Sequence, residues 1–274
     1  MSTQGKLIAI GGAEDKGNDR ELREINKRNK HFEPLGVLKR VVEEAGGKDG
    51  YIEVITTASQ IPGEVSRNYL QAFSKLGIGK VEHMRIRKTK DAESSEIIER
   101  LKSCTAVMFS GGNQAKLIST FYKTEFLEIL KQRYQQEKLV IAGTSAGAMA
   151  MSRVMIADGH AAHAHLKGIV KIETGLWFID GVIIDSHVNK RGRFVRLSKT
   201  VALNHSQIGI GLSEDTGVVI TQGKQFEVIG SGIVLVIDGR QITRSNVHEV
   251  EDGSPISISN LQVDILEQGD HFTI

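Results

Sequence analysis

The sequence predicts an α/β fold whose central sheet is mainly parallel and covered on both faces by helices, with an antiparallel extension toward the C-terminal end. Three observations lead there. Short apolar runs alternate with segments of helical period from Lys6 to about Met151, the pattern of repeated β-α-β units. Runs such as Leu7-Ile8-Ala9-Ile10 and Leu139-Val140-Ile141-Ala142 are apolar throughout, as strands buried on both faces are. From Gly217 onward, strand-like runs follow one another without intervening helices.

The first run, Lys6 to Ile10, ends in Gly11-Gly12, which puts a tight loop at the carboxyl edge of a parallel sheet, where ligands bind. Neither G-x-G-x-x-G nor G-x-x-x-x-G-K-[ST] is present, so no nucleotide cofactor is expected. Glu14 to Lys30 is highly charged and reads as loop or exposed helix. Val37, Leu38, Val41, Val42 and Ala45 form one helical stripe that stops at Gly46-Gly47 and leads into the β-branched run Tyr51 to Thr57. The pattern repeats with a helix from about Glu64 to Leu76, a strand from Val81 to Ile86, a helix from Glu93 to Lys102 and the strand Ala106 to Phe109.

That strand runs into Ser110-Gly111-Gly112-Asn113-Gln114, ahead of a helix that includes Lys116 to Phe121. A diglycine at such an edge can turn its amides toward a ligand, so Gly112 N–H is a candidate donor and Gln114 a candidate substrate contact. The next helix, Glu125 to Glu137, carries Phe126, Ile129, Leu130 and Tyr134 on its core stripe. It delivers the chain to Gly143-Thr144-Ser145-Ala146-Gly147. Strand, G-x-S-x-G and a helix of small residues make a sharp elbow that lifts the Ser145 hydroxyl clear of the sheet, with glycines where backbones crowd. A serine there needs a base to take its proton and amides to hold an oxyanion, and the Ala146 amide is the first donor in place.

Met155 to Thr174 lacks regular period and reads as a long loop bordering the site. It contains Asp158, His160, His163 and His165, a possible divalent-metal set that lacks the ligand spacing of known sites; no metal is expected. In Val182-Ile183-Ile184-Asp185-Ser186-His187 an apolar run turns polar; alternation puts Asp185 and His187 on one side, and His187 is the candidate general base. Lys190 to Asn204 reads as a helix carrying Arg191, Arg193 and Arg196, with guanidinium groups suited to substrate carboxylates or to an acid of the site. Ile208 to Leu212 is a strand running into Glu214-Asp215, either of which can supply the carboxylate that orients His187. Beyond it, Gly217 to Thr221, Phe226 to Ile229 and Ile233 to Ile237 read as antiparallel strands, with Asp238-Gly239 as a tight hairpin turn.

The chain has 274 residues, with 35 lysines and arginines against 33 acids and a net charge of +2; this gives no electrostatic reason to expect nucleic acid or a membrane as partner. It is read as one domain over residues 1–274. The one cysteine, Cys104, excludes an internal disulfide and sits beside the apolar run Ala106 to Phe109, as a core thiol does. No apolar run approaches the ~20 residues of a membrane helix and no signal sequence opens the chain, so a cytoplasmic location is expected.

Gly11-Gly12-Ala13-Glu14, Ser110 to Gln114, Gly143 to Ala148, Asp185-Ser186-His187 with Arg191-Gly192-Arg193 and Arg196-Leu197, and Gly209 to Thr216 together resemble the cyanophycinases. These belong to the serine peptidase family that also contains aspartyl dipeptidase, peptidase E. The resemblance implies a three-layer α/β/α sandwich of the class I glutamine amidotransferase and peptidase E type. It implies Ser145 as nucleophile, His187 as base, Glu214 as the orienting acid, and the Gly112 and Ala146 amides as oxyanion hole. Gln114, Asp185, Ser186, Arg191, Arg193 and Arg196 then line the substrate pocket, with Asp185 a partner for substrate guanidinium groups. The order Ser, His, Glu also differs from that of the α/β-hydrolases. Where the family usually has a bulkier polar residue and an aromatic beside the histidine, this chain has Ser186 and Val188. The implied reaction is exopeptidase hydrolysis of cyanophycin, poly-aspartate bearing arginine on each side chain, to β-Asp-Arg dipeptides through an acyl-enzyme, by a homodimer without cofactor. The alternatives are an aspartyl or isoaspartyl dipeptidase, a non-catalytic ligand-binding relative, and a metal hydrolase built on the three histidines.

Overall fold

Five apolar strands lie side by side and parallel in the order β3 (Lys80–Met84), β2 (Tyr51–Ile55), β4 (Ala106–Phe109), β5 (Val140–Thr144) and β1 (Lys6–Ile10). Register sets Ile8 opposite Ala142 and Val107 opposite Ile141. The computed structural model from which this is seen describes residues 3–17, 29–30, 32–159, 161–189 and 192–274. Beyond β1 the sheet continues antiparallel through β10 (Thr216–Thr221), β11 (Gln225–Gly230) and β16 (His271–Thr273). A second sheet holds β8 (Val182–Ser186) and β9 (Ile208–Leu212) in parallel, then β12 (Val234–Asp238) and β15 (Gln262–Leu266) antiparallel. The expected extension is therefore shared between two sheets.

One face of the large sheet buries Ile8, Ile52 and Met108 against Val37, Leu38 and Val41 of α1 (Gly36–Glu44) and Tyr69 and Phe73 of α2 (Pro62–Lys75). On the other face, Leu7, Val107 and Ile141 share a core with α4 (Ser95–Ser103), α5 (Gln114–Phe121) and α6 (Glu125–Gln136), and with strands of the second sheet. The single turn α3 (Thr89–Ala92) precedes α4. These helices start where local chemistry caps them: Ser94 accepts from Ile97 N, Asn113 from Ala115 N and Thr124 from Leu127 N. Cys104 is buried, and that burial pushes its thiol up to about 12, which leaves it unreactive.

Three expectations are corrected. Met155 to Thr174 is not one irregular loop: β6 (Val154–Asp158) and β7 (Lys171–Thr174) pair antiparallel, with a register shift between Ile156 and Asp158 that hides the strand period. Asp238-Gly239 closes no tight hairpin, because the partner strand β15 starts only at Gln262; the Asp238 carboxylate instead takes the Arg240 amide at 2.8 Å and its guanidinium. The helix expected from Lys190 starts at Phe194 (α8, Phe194–Leu203), after Gly192 has turned the backbone to φ +56°. Arg193 is thus a cap residue rather than a helical one. Residues 190–191 lie outside the described residues, as does most of the charged segment before α1.

Candidate active site

Strands β1, β4 and β5 end side by side, and the loops that follow them meet the ends of β8 and β9 at one edge. Ser145 sits in the elbow between β5 and the single turn α7 (Ala146–Met149), at φ 49° and ψ −108°. No ordinary residue prefers that backbone, so its surroundings must hold it. Its amide donates to Ile10 O at 2.8 Å. A Cβ on Gly143 would come within 2.6 Å of the Gly147 carbonyl carbon, and one on Gly147 within 2.5 Å of Phe109 O. Close approach is why both flanking positions need glycine.

His187 Nε2 lies 3.1 Å from Ser145 Oγ, and His187 Nδ1 lies 2.9 Å from Glu214 Oε1. A carboxylate only accepts, so the Nδ1 proton is donated to Glu214, and Nε2 turns its lone pair to the serine hydroxyl. Between the two candidate acids the geometry is unambiguous. Asp215, at φ 48°, faces away: its carboxylate accepts from Asp15 N at 3.0 Å and Ser231 Oγ at 2.8 Å. Burial pushes that carboxyl up to about 6 against the pull of those two donors.

The expectation that alternation places Asp185 and His187 on one side fails. β8 ends at Ser186, and His187 has φ 56°, so the chain turns there and the two-residue period stops. It is the Ser186 hydroxyl that approaches Ser145, 3.5 Å from its Oγ. Asp185 is fully buried, with its carboxylate gripped by Arg196 Nε at 2.8 Å, by Arg196 Nη2, by Ser186 N at 2.8 Å and by Arg193 at 3.4 Å. It is consumed by this chain's own arginines and is not presented to a substrate guanidinium. Arg196, 4 % exposed, spends its remaining Nη1 on Gly159 O at 3.1 Å. Arg193 Nη1 donates to Ser186 O at 2.8 Å. The Gln114 amide is likewise engaged, donating to Ile156 O at 3.0 Å and Ala157 O at 2.8 Å, so it fastens β6 to the site. Arg191 and His160 lie outside the described residues. His163 and His165 are exposed, and among the described residues no three His, Cys, Asp or Glu side chains gather as a metal site.

Gly112 adopts φ +142° and packs against the Ala58 carbonyl too closely for any side chain. Neither its amide nor that of Ala146 donates to an acceptor among the described residues. Two open cavities meet at Gly112. One, about 510 Å³, is lined by Gly12, Glu14, Lys16, Tyr69, Ser145 and His187 among others. The other, about 640 Å³, is lined by Gln114, Asp158, Lys171, Glu173, Arg193 and Arg196 among others. A hydroxyl with a base and an orienting acid in line, two amide donors beside it and a cavity on either side can run acyl transfer.

The Gly11-Gly12 loop packs against the His187 ring. A Cβ on Gly12, at φ +104°, would meet the His187 ring at 2.5 and 2.6 Å. Gly12→Ala must therefore push the imidazole off Ser145, and kcat/KM is expected to fall about 100-fold, since an ångström of misplacement costs that much. Steady-state kinetics beside a thermal melt check this; an unchanged kcat/KM in a folded variant contradicts the packing.

Sequence reasoning missed the role of Glu14. It stands in a charged stretch and reads as surface, yet it is 3 % exposed, and its carboxylate accepts from Thr144 Oγ1 at 2.6 Å and from the Tyr69 hydroxyl and pairs with Lys16 at 2.9 Å. The one available signal was its place just after the diglycine at a strand's carboxyl end.

Residues 27–229 match the model of peptidase family S51. The chain is 34% identical over 272 residues to a cyanophycinase of Trichormus variabilis, covering 99% of this chain and 86% of that one. It is 32% identical over 271 residues to a cyanophycinase of Synechococcus elongatus, covering 99% and 80%. In fold it is similar to a peptidase from an acI-B1 actinobacterium, with TM-score 0.69 at 21% identity over 100% of this chain and 98% of that one.

Proposed function

The chain belongs to peptidase family S51 and is a serine peptidase, and from that premise we propose that it hydrolyses cyanophycin to β-Asp-Arg dipeptides, with Ser145, His187 and Glu214 as its catalytic residues. The observation that carries the mechanism is the hydrogen-bonded line Ser145, His187, Glu214, with steps of 3.1 and 2.9 Å. His187 takes the hydroxyl proton as Ser145 attacks the carbonyl carbon, and Glu214 stabilises the imidazolium. The Gly112 and Ala146 amides hold the oxyanion as the tetrahedral species forms. His187 then protonates the amine and releases it; water, deprotonated by the same imidazole, frees Ser145.

Geometry orients the substrate. The leaving amine must lie within reach of His187, so the leaving part occupies the cavity that His187 lines, and the acyl part extends past Gly112 toward Arg193 and Arg196. On the acyl side the Arg193 guanidinium suits the free carboxylate that each pendant arginine of the polymer carries. Support for the polymer comes from the cyanophycinases to which the chain is similar over nearly its whole length.

The test is to incubate the protein with insoluble cyanophycin and, separately, with α- and β-linked aspartyl dipeptides, and to identify soluble products by mass spectrometry. Release of Asp-Arg dipeptide from the polymer is expected. Cleavage of the dipeptides alone transfers the assignment to an aspartyl or isoaspartyl dipeptidase.

A further inference from the structure

A single loop, residues 11–15, touches the elbow, the imidazole and the residues beside Glu214. Gly11 N donates to Thr216 O at 2.8 Å, Gly12 O accepts from Asp215 N at 3.0 Å, and Asp15 N donates to the Asp215 carboxylate at 3.0 Å, all beside Glu214. The Gly12 Cα lies against the His187 ring. Glu14 completes the set by reaching Thr144, the residue before Ser145, with its Oε2. The elbow residue is in a backbone region that persists only when it is held from several sides. One hold is the bond from Ser145 N to Ile10 O, a second is the bond from Met149 N to Ser145 O at 2.9 Å, and a third is Glu14 on Thr144.

Resting on the peptidase reading, the geometry points to Glu14 as the positioning residue of the nucleophile: it fixes Thr144, and through it the elbow that aims the Ser145 hydroxyl at His187. Glu14 does not act on substrate itself. Its Oε1 is shared by the Tyr69 hydroxyl and the Lys16 ammonium and its Oε2 is taken by Thr144, so it works through those donors. Burial alone raises its carboxyl, but Lys16, Thr144 and Tyr69 outweigh this and hold it below the usual range. It is therefore an anion at neutral pH, and an anion accepts from all three donors at once. An amide is uncharged and has only one accepting oxygen, so Glu14→Gln weakens the hold on Lys16, and a hydroxyl that meets its NH2 must reverse and accept in a bond without charge assistance.

Two readouts separate positioning from plain structural support: kcat against KM on an aspartyl substrate, and the rate at which a fluorophosphonate probe labels Ser145 in the folded protein. In Glu14→Gln, kcat and the labelling rate are expected to fall together by about 10- to 100-fold, with KM changed less than about threefold. Thr144→Val, which deletes the hydroxyl and keeps the shape, should give the same loss, and the double variant no further loss. Thr144→Ser restores the hydroxyl and should bring both rates back to within about threefold of the parent. Both single variants labelling within twofold of the parent would overturn the assignment, as would losses that multiply in the double variant. A parent that is labelled at Ser145 yet releases no dipeptide removes the substrate reading and leaves this inference to be decided by the labelling rates.

Discussion

Ser145→Ala is expected to lower turnover by about 10⁴- to 10⁶-fold and to leave the melting temperature within a few degrees of the parent. The size follows from the proposed mechanism, in which no acyl-enzyme can form without the hydroxyl and only binding and the proposed oxyanion amides remain. The small structural cost follows from the geometry. Among the described residues the hydroxyl is within hydrogen-bond distance only of His187, at 3.1 Å, and Ser186, at 3.5 Å, beside an open cavity where water can replace it. The elbow strain at φ 49° is no greater for alanine than for serine. Glu214→Gln isolates the acid: the amide turns a donor or a weaker acceptor to Nδ1, disfavours the productive tautomer and should cost about 10³- to 10⁴-fold. Because the three groups act as a unit, adding Glu214→Gln to Ser145→Ala should cost almost nothing more. Product release measured beside fluorophosphonate labelling decides the matter; more than a few per cent of parental turnover in Ser145→Ala rules out Ser145 as nucleophile.

The same elbow shows what a sequence can and cannot disclose. Gly143 and Gly147 are legible because their reason is local: at a sharp turn a Cβ on Gly143 would come within 2.6 Å of the Gly147 carbonyl carbon, and a five-residue motif records it. The parallel strands are legible for a similar reason, since β1, β4 and β5 are nearly continuous apolar runs. His187 could be found from an apolar strand that turns polar, but its direction could not. That depends on one positive φ after Ser186, where a two-residue alternation no longer applies. Glu14 was legible as part of the motif Gly11-Gly12-Ala13-Glu14, but its role was not. Its meaning lies in a hydrogen bond to a residue 130 positions away, and locally it looks like any other charge in a charged segment. Glu214 and Asp215 are chemically equivalent neighbours in sequence; the turn at Asp215 sends one carboxylate to the imidazole and the other to a backbone amide.

Asp185→Ala is the substitution expected to cost the fold most, about 3–5 kcal/mol, because it strands the charge of a buried arginine. Arg196 is 4 % exposed and spends two of its nitrogens on Asp185, so no water can take the place of the lost carboxylate without opening the core. Asp185→Asn keeps one acceptor and the shape, and should cost roughly half as much. Chemical denaturation at neutral pH measures both, and a loss under about 1 kcal/mol for Asp185→Ala would mean that Arg196 finds another partner. The functional consequence separates from the structural one. Asp185 stands two residues before His187 and also braces Arg193, whose guanidinium bonds to Ser186 O and lines the cavity assigned to the acyl part. If the arginines read a substrate carboxylate, folded Asp185→Asn should show KM raised about tenfold, with fluorophosphonate labelling of Ser145 close to that of the parent. If instead Asp185 mainly fixes the end of β8 on which His187 depends, labelling will fall with turnover and KM will stay. The buried acid thus serves as a measurable divide between the part of this site that binds and the part that reacts.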